Sequence, residues 1–164
     1  MKGFTLIETL VAIAIMMLAI AGPLTIAHKA VQSALYAKNQ ITAYYLAQDT
    51  IEFIRSMRDN NLLATNAGTV TDWLDNLDLC KDKDCMIDTI NGTTNNSGPL
   101  YYKNGQYGYN NTWTTSSGFT RTVNINISKT NNAMVKVTVS WNTGLFTQTF
   151  TVQENMMNIF ATTP

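Results

Sequence analysis

The sequence predicts an α+β fold: one long N-terminal helix, apolar in its first half and amphipathic in its second, packed on a C-terminal antiparallel β-sheet. Three observations predict it. Residues 4–27 are almost wholly apolar, positions 30–54 repeat apolar residues at spacings of three and four, and residues 119–152 hold three runs alternating apolar with polar. The 164 residues make one domain, or one domain with an appendage.

Composition narrows the function classes. Eleven basic residues balance 11 acidic ones, so net charge gives a polyanion-binding surface no support. Charged residues make up 13%, about half the ~25% of ordinary soluble domains. Residues 60–164 are rich in Thr, Asn, Gly and Ser, a neutral surface suited to packing against copies of itself. His28 is the sole histidine and sits beside Lys29 at the end of the apolar run. A polar residue at a membrane–water boundary explains it better than a metal site or a triad built on one imidazole. No Gly-rich phosphate loop, CxxC pair or G-x-S-x-G is present. Nothing reads as an enzyme, and no cofactor is implied.

The first half of the helix has the length of a membrane span. Leu10 to Ala27 carry no charge, and adding Phe4–Thr9 completes a ~30 Å crossing at ~1.5 Å per residue. That addition brings in Glu8, the run's one formal charge. Unpaired in hydrocarbon, it would cost at least ~2.5–3.5 kcal/mol, so it calls for a partner. Lys2 precedes the run and His28-Lys29 follow it, so the positive-inside signal is weak; the short tail has nothing else to translocate, and the N-terminus is expected towards the cytoplasm. A secretory signal peptide is the alternative, with Ala19-Ile20-Ala21 as its cleavage signature. Against it stand a single-residue basic region, and Thr5, Glu8 and Thr9 where its apolar core would begin. Gly22-Pro23 predicts a kink or a locally melted turn, or else a tolerated membrane-helix proline.

After Lys29 the pattern turns amphipathic. Ala30, Ala34, Ala37, Ile41, Tyr44, Ala47, Ile51 and Ile54 mark one helical face, with Glu52 and Arg55 as a weak surface pair. No Gly or Pro interrupts residues 24–62, so the helix is expected from about Thr5 to Asn61. At ~1.5 Å per residue it would be roughly 80–85 Å long, and its apolar stripe needs cover.

Residues 60–118 read as loops, with a helical turn around Asp72–Leu79 and short strands near Leu100–Tyr102 and Gln106–Tyr109. Glycosylation sequons at Asn91, Asn95, Asn110 and Asn126 are expected by chance in so Asn- and Thr-rich a segment. Cys80 and Cys85 frame a small loop. Outside the cytoplasm a disulfide is favoured there, with modest stabilisation because the loop is short. The alternative is a cation site from Asp78, Asp82, Asp84 and Asp88, whose spacing fits no EF-hand and which solvated aspartates explain as well.

The last third reads as a meander. Phe119 to Ser128, Val135 to Trp141 and Phe146 to Val152 alternate, joined by polar turns at Lys129–Asn132 and Asn142–Gly144. Its apolar face is the natural cover for the helix stripe. Arg121 would point into that face unless at the sheet's edge, its stem snorkelling over Trp141 or tyrosine rings.

Gly3-Phe4-Thr5-Leu6-Ile7-Glu8 resembles the processing motif of type IV prepilins and type II secretion pseudopilins. The resemblance implies a pilin-like fold and cleavage after Gly3 by the prepilin peptidase, with Met1-Lys2-Gly3 as leader. It also implies N-methylation of Phe4 and docking of Glu8 against the Phe4 amine of a neighbouring subunit. That amine, of unperturbed pKa near ~7.7–8.0, supplies the partner Glu8 lacks. The segment from Leu46-Ala47-Gln48 through Ile51-Glu52 and Arg55 to Arg58-Asp59 is similar to PilV-like minor pilins and I-type minor pseudopilins. So are Cys85-Met86-Ile87-Asp88 and the strand runs beginning at Phe119 and Val137. Tip subunits of secretion systems usually lack the glutamate present here as Glu8.

The expected organisation is therefore a leader at 1–3, a membrane-spanning or filament-core half-helix at 4–28, an amphipathic half at 29–61 and a globular β domain at 62–164. The implied partners are the prepilin peptidase, other pilin subunits and the inner-membrane assembly platform. The implied location is the inner membrane, single-pass, then a periplasmic or surface filament. A binding module, an adhesin or DNA-uptake pilin, is the second class, and a competence pseudopilin shares the same motif. Tyr101, Tyr102, Tyr107, Tyr109 and Trp113 could form a stacking surface, but only Lys103 is near, so nucleic acid is a weak candidate. Packing explains these aromatics better. An anchored enzyme has no candidate site.

Overall fold

The computed structural model describes residues 3, 5–69, 72–95, 98–109, 112–129 and 131–159. The chain divides into two compact units, Met1–Asn39 and Gln40–Pro164. A single helix, α1 (Leu6–Asn66), contributes to both. It starts where the Thr5 carbonyl accepts the amides of Glu8 and Thr9, at 3.1 and 3.3 Å. Helical assignment runs through Pro23 without a melted turn. Proline removes one amide donor, and two residues on the Thr25 hydroxyl donates to the Ala21 carbonyl at 2.8 Å. The helix outlasts the expected Asn61 and stops at a Schellman arrangement. There Gly68, at φ 81°, donates its amide to Thr65 O and the Thr69 amide reaches Ala64 O, both at 2.9 Å.

In the unit from Gln40, seven strands follow the helix among the described residues. Two hairpins come first: β1 (Met86–Asp88) with β2 (Thr93–Asn95), and β3 (Tyr101–Lys103) with β4 (Gln106–Gly108). The second lies close to its expected place; the first has no alternating pattern to announce it. The meander then forms as β5 (Phe119–Lys129), β6 (Asn132–Thr143) and β7 (Phe146–Met157), antiparallel in the order β5-β6-β7. Opposite β6 register pairs Val139 with Arg121 on one side and Phe150 on the other.

Alternation decides what the sheet buries. Val123 and Ile125 of β5, and Ala133, Val135, Val137, Val139 and Trp141 of β6, are buried. On the helix the covered side is Ala43, Leu46, Ala47, Thr50, Ile51, Ile54 and Leu62. Ile41 and Tyr44, expected on that stripe, are exposed. At ~100° per residue Ile41 stands roughly 150° round from the covered side. The sheet covers one face of a helix apolar on more than one, and sequence periodicity could not choose between them. The layout of this unit is the expected helix on an antiparallel sheet.

Candidate functional site

The N-terminal segment presents an apolar surface with no protein over it. Large side chains from Leu6 to Ile26 are more than half exposed, and an 18-residue window of this helix has mean hydropathy 2.4 with none of it buried. Burial of such a surface in lipid or among other apolar helices is the largest free-energy gain open to it. Gly3 is exposed, and a side chain there would meet nothing within 4 Å. Phe4, the expected methylation site, lies outside the described residues. Glu8 is exposed in the first turn of α1. Among the described residues the first base after it is His28, about 30 Å along a helix of ~1.5 Å rise per residue. His28 itself bonds Gln32 across one turn, Nε2 to Nε2 at 2.9 Å. No cation among the described residues is in reach of this carboxylate.

The loops are organised around β5. Cys80 and Cys85 are joined by a disulfide, with Cα atoms 4.9 Å apart. The residues it closes dock on the strand's outer edge. Asp82 N donates to Ile125 O at 2.9 Å, while Cys85 and Val123 exchange amide bonds at 2.8 Å. Asn126 donates to Asp82 and Asn124 to Asp84, at 3.1 and 3.0 Å. The loop thus covers part of an edge that would otherwise invite another strand. Asp78 accepts from Lys81 at 2.7 Å, and Lys81 also bonds Asp72. Burial pushes the Lys81 amine down, but these two carboxylates outweigh it and hold it above its usual value. Asp88 is buried and bonds the Ile90 amide and the Asn91 side chain, at 3.0 and 2.8 Å, shaping the β1–β2 turn. Of the four aspartates named as cation ligands, Asp82 and Asp84 thus accept from β5, Asp78 from Lys81 and Asp88 from its own turn, and no group of three His, Cys, Asp or Glu among the described residues is placed to hold a metal.

The tyrosines also separate. Tyr107 and Tyr109 pack against the core, and burial raises both phenols above their usual range. The Tyr109 hydroxyl donates to Arg121 O at 3.0 Å. Tyr107 touches Phe119 edge-on at 6.4 Å, while Tyr102, 40% exposed, leans on Tyr107 from outside at 5.0 Å. Among the described residues, the ring contacts of this group run from Tyr102 through Tyr107 to Phe119 in the core.

Arg121 departs furthest from expectation. It lies on the edge strand β5, yet it is fully buried and does not snorkel. Its Nη2 donates to Ile87 O at 2.7 Å, and its Nη1 to Leu46 O at 3.2 Å and Asp49 Oδ2 at 3.4 Å. The Tyr109 ring lies 5.7 Å from the guanidinium carbon, a cation–π distance. One side chain thereby ties α1, β1 and β5 together. Asp49 also accepts from Thr89 at 2.7 Å and lines a groove of about 470 Å³ with Thr42, Tyr45, Ile90 and Tyr107. A second tie is Arg55, which meets Glu52 at 2.6 Å and both oxygens of Glu154 on β7, at 2.7 and 2.8 Å. The Glu154 bonds, with those to Glu52, raise the Arg55 guanidinium above its usual value. The local pair was legible in the spacing; Glu154, far along the chain, was not.

Residues 1–22 match the prokaryotic N-terminal methylation motif. No curated protein and no solved structure matches the chain. The motif match and the apolar helix support a type IV pilin-like, membrane-anchored protein that assembles with other pilins after prepilin processing.

Proposed function

We propose that the chain is a minor pilin or pseudopilin, a structural subunit of a type IV pilus or of a type II secretion-like pseudopilus. The observation that carries this reading is the methylation motif at residues 1–22 heading a helix whose apolar side chains have no protein cover. In this reading the peptidase cuts after Gly3, Phe4 becomes the N-methylated first residue, and residues 4–28 serve first as anchor and then as filament core. Residues 29–61 carry the amphipathic half of the helix, and 62–164 form the outward domain. Similarity of the Leu46–Asp59 segment to PilV-like chains supports a minor rather than a major subunit.

Docking follows from electrostatics. Cleavage leaves a cationic amine on Phe4, and extraction from the bilayer brings it into an apolar bundle beside Glu8 of a neighbour. Each charge alone is costly there, and together they are tolerable. Only one axial stagger joins them, so the pair sets register as well as energy.

Mass spectrometry of the N-terminal peptide tests the reading, with N-methylated Phe4 expected as the first residue. An intact Met1, or a start at Gly22, would overturn it. Glu8→Ala is expected to leave the protein in the membrane while filament incorporation falls about tenfold or more, the factor that ~1.4 kcal/mol of lost pairing gives.

A further inference from the structure

The groove at Asp49 is built wholly within the unit from Gln40, and the filament reading makes no use of it. At about 470 Å³ it falls within the ~300–1,000 Å³ of small-molecule sites. The helix supplies Tyr45 and Asp49, four residues apart and so on one face. β4 supplies Gln106 and Tyr107, and the turn after β1 supplies Thr89 and Ile90.

These groups are held before any ligand arrives. Asp49 takes both its bonds, from Thr89 and from Arg121, on Oδ2, at 2.7 and 3.4 Å. Among the described residues Oδ1 accepts none, and the side chain is 55% exposed. A carboxylate fixed through one oxygen offers the other to an occupant at little cost in ordering. Tyr107 is fixed as well, against Phe119 at 6.4 Å and Tyr102 at 5.0 Å. Tyr45 meets Tyr44 edge-on at 5.7 Å and is 63% exposed.

Charge decides the class of occupant. No basic side chain lines the groove, so a phosphate or carboxylate would meet only the negative charge of Asp49. A cation fares little better. The fully buried Arg121 already answers that single carboxylate, and a second cation would leave the site net positive. The occupant that suits both the open acceptor and the rings is neutral, with hydroxyls at its edge and an apolar face.

We propose that this groove binds a neutral pyranose. Its C–H face lies on Tyr45, the more open ring, with Ile90 and Tyr107 as the apolar remainder. One of its hydroxyls donates to Asp49 Oδ1, and others exchange bonds with the exposed Gln106 amide. The site stands apart from the filament reading: every residue in it lies beyond Asn39, and binding requires neither processing nor assembly.

The test uses the full chain in a phosphocholine detergent, whose head group carries no sugar. Saturation-transfer NMR probes methyl glucoside, methyl galactoside, methyl mannoside and methyl N-acetylglucosaminide, with cadaverine and inorganic phosphate as charged comparators. At least one pyranoside is expected to bind with a dissociation constant of ~1–10 mM and to receive saturation most strongly at its ring C–H protons. Tyr45→Ala and Asp49→Ala are each expected to weaken that binding about tenfold or more. Tyr45 is exposed, so its variant keeps the fold, and the urea midpoint checks both. No transfer to any pyranoside at concentrations far above that range would overturn the proposal. Affinity unchanged in both variants would put the sugar elsewhere and equally overturn it. Cadaverine or phosphate bound more tightly than every pyranoside would refute the charge argument. N-terminal mass spectrometry of the same sample tests the filament reading separately.

Discussion

Replacing Arg121 with methionine is expected to cost about 2–3 kcal/mol of stability, whereas Asp49→Asn is expected to cost under about 1 kcal/mol. The difference follows from where the guanidinium's bonds go. The Asp49 carboxylate is 55% exposed and 3.4 Å away, so water replaces most of what the arginine gives it. Leu46 O keeps the Thr50 hydroxyl at 2.9 Å when Nη1 is removed. Ile87 O loses a charge-assisted bond of 2.7 Å in a fully buried setting, a loss of about 1.5–3 kcal/mol. Methionine fills much of the volume and removes the unpartnered Nε, which limits the cavity term. Arg121→Ala adds that cavity and is expected to reach about 4–5 kcal/mol. Urea unfolding of the full chain in detergent, followed by tryptophan fluorescence, gives all three values and the Arg121–Asp49 double-mutant coupling. An Asp49→Asn cost matching that of Arg121→Met, with coupling above about 2 kcal/mol, would show that the ion pair holds Arg121 and refute the reasoning.

Three further outcomes follow from the same geometry. Cys80→Ser with Cys85→Ser is expected to lower stability by about 2 kcal/mol, the chain-entropy value for so short a loop. The bonds from the Val123 amide to Cys85 O and from the Asp82 amide to Ile125 O remain, so amide exchange at Val123 and Asp82 should stay slow. Arg55→Ala is expected to cost below about 1 kcal/mol, shrinking as salt is raised, because both partners are partly exposed; a cost unaffected by 1 M salt would contradict that. Burial holds the Tyr109 phenol above its unfolded value near ~10. The neutral ring's contribution is then complete below ~10 and is lost as pH rises through the folded value. In an alkaline titration Tyr109→Phe should postpone that loss, at a cost of about 1 kcal/mol at neutral pH for the bond to Arg121 O; unchanged alkaline unfolding would remove Tyr109 as its cause.

Sequence alone determined the features that depend on local pattern. The apolar run from Leu10 to Ala27, the motif from Gly3 to Glu8 and the three alternating strands each declare themselves within a short window, because helix and strand periods act on neighbours. It also named Arg121 as a problem, since a charge on the apolar side of a strand is visible by alternation. Tertiary structure decided everything that depended on partners distant in the chain. It buried Ala43, Leu46 and Thr50 beside the expected Ala47, Ile51 and Ile54 and left Ile41 exposed, a choice that periodicity leaves open on a helix apolar on several sides. The carbonyls of Leu46 and Ile87 around Arg121 came the same way, because backbone acceptors carry no residue signature. So did the groove at Asp49, because Tyr45, Thr89 and Tyr107 stand on three segments whose meeting no local pattern records.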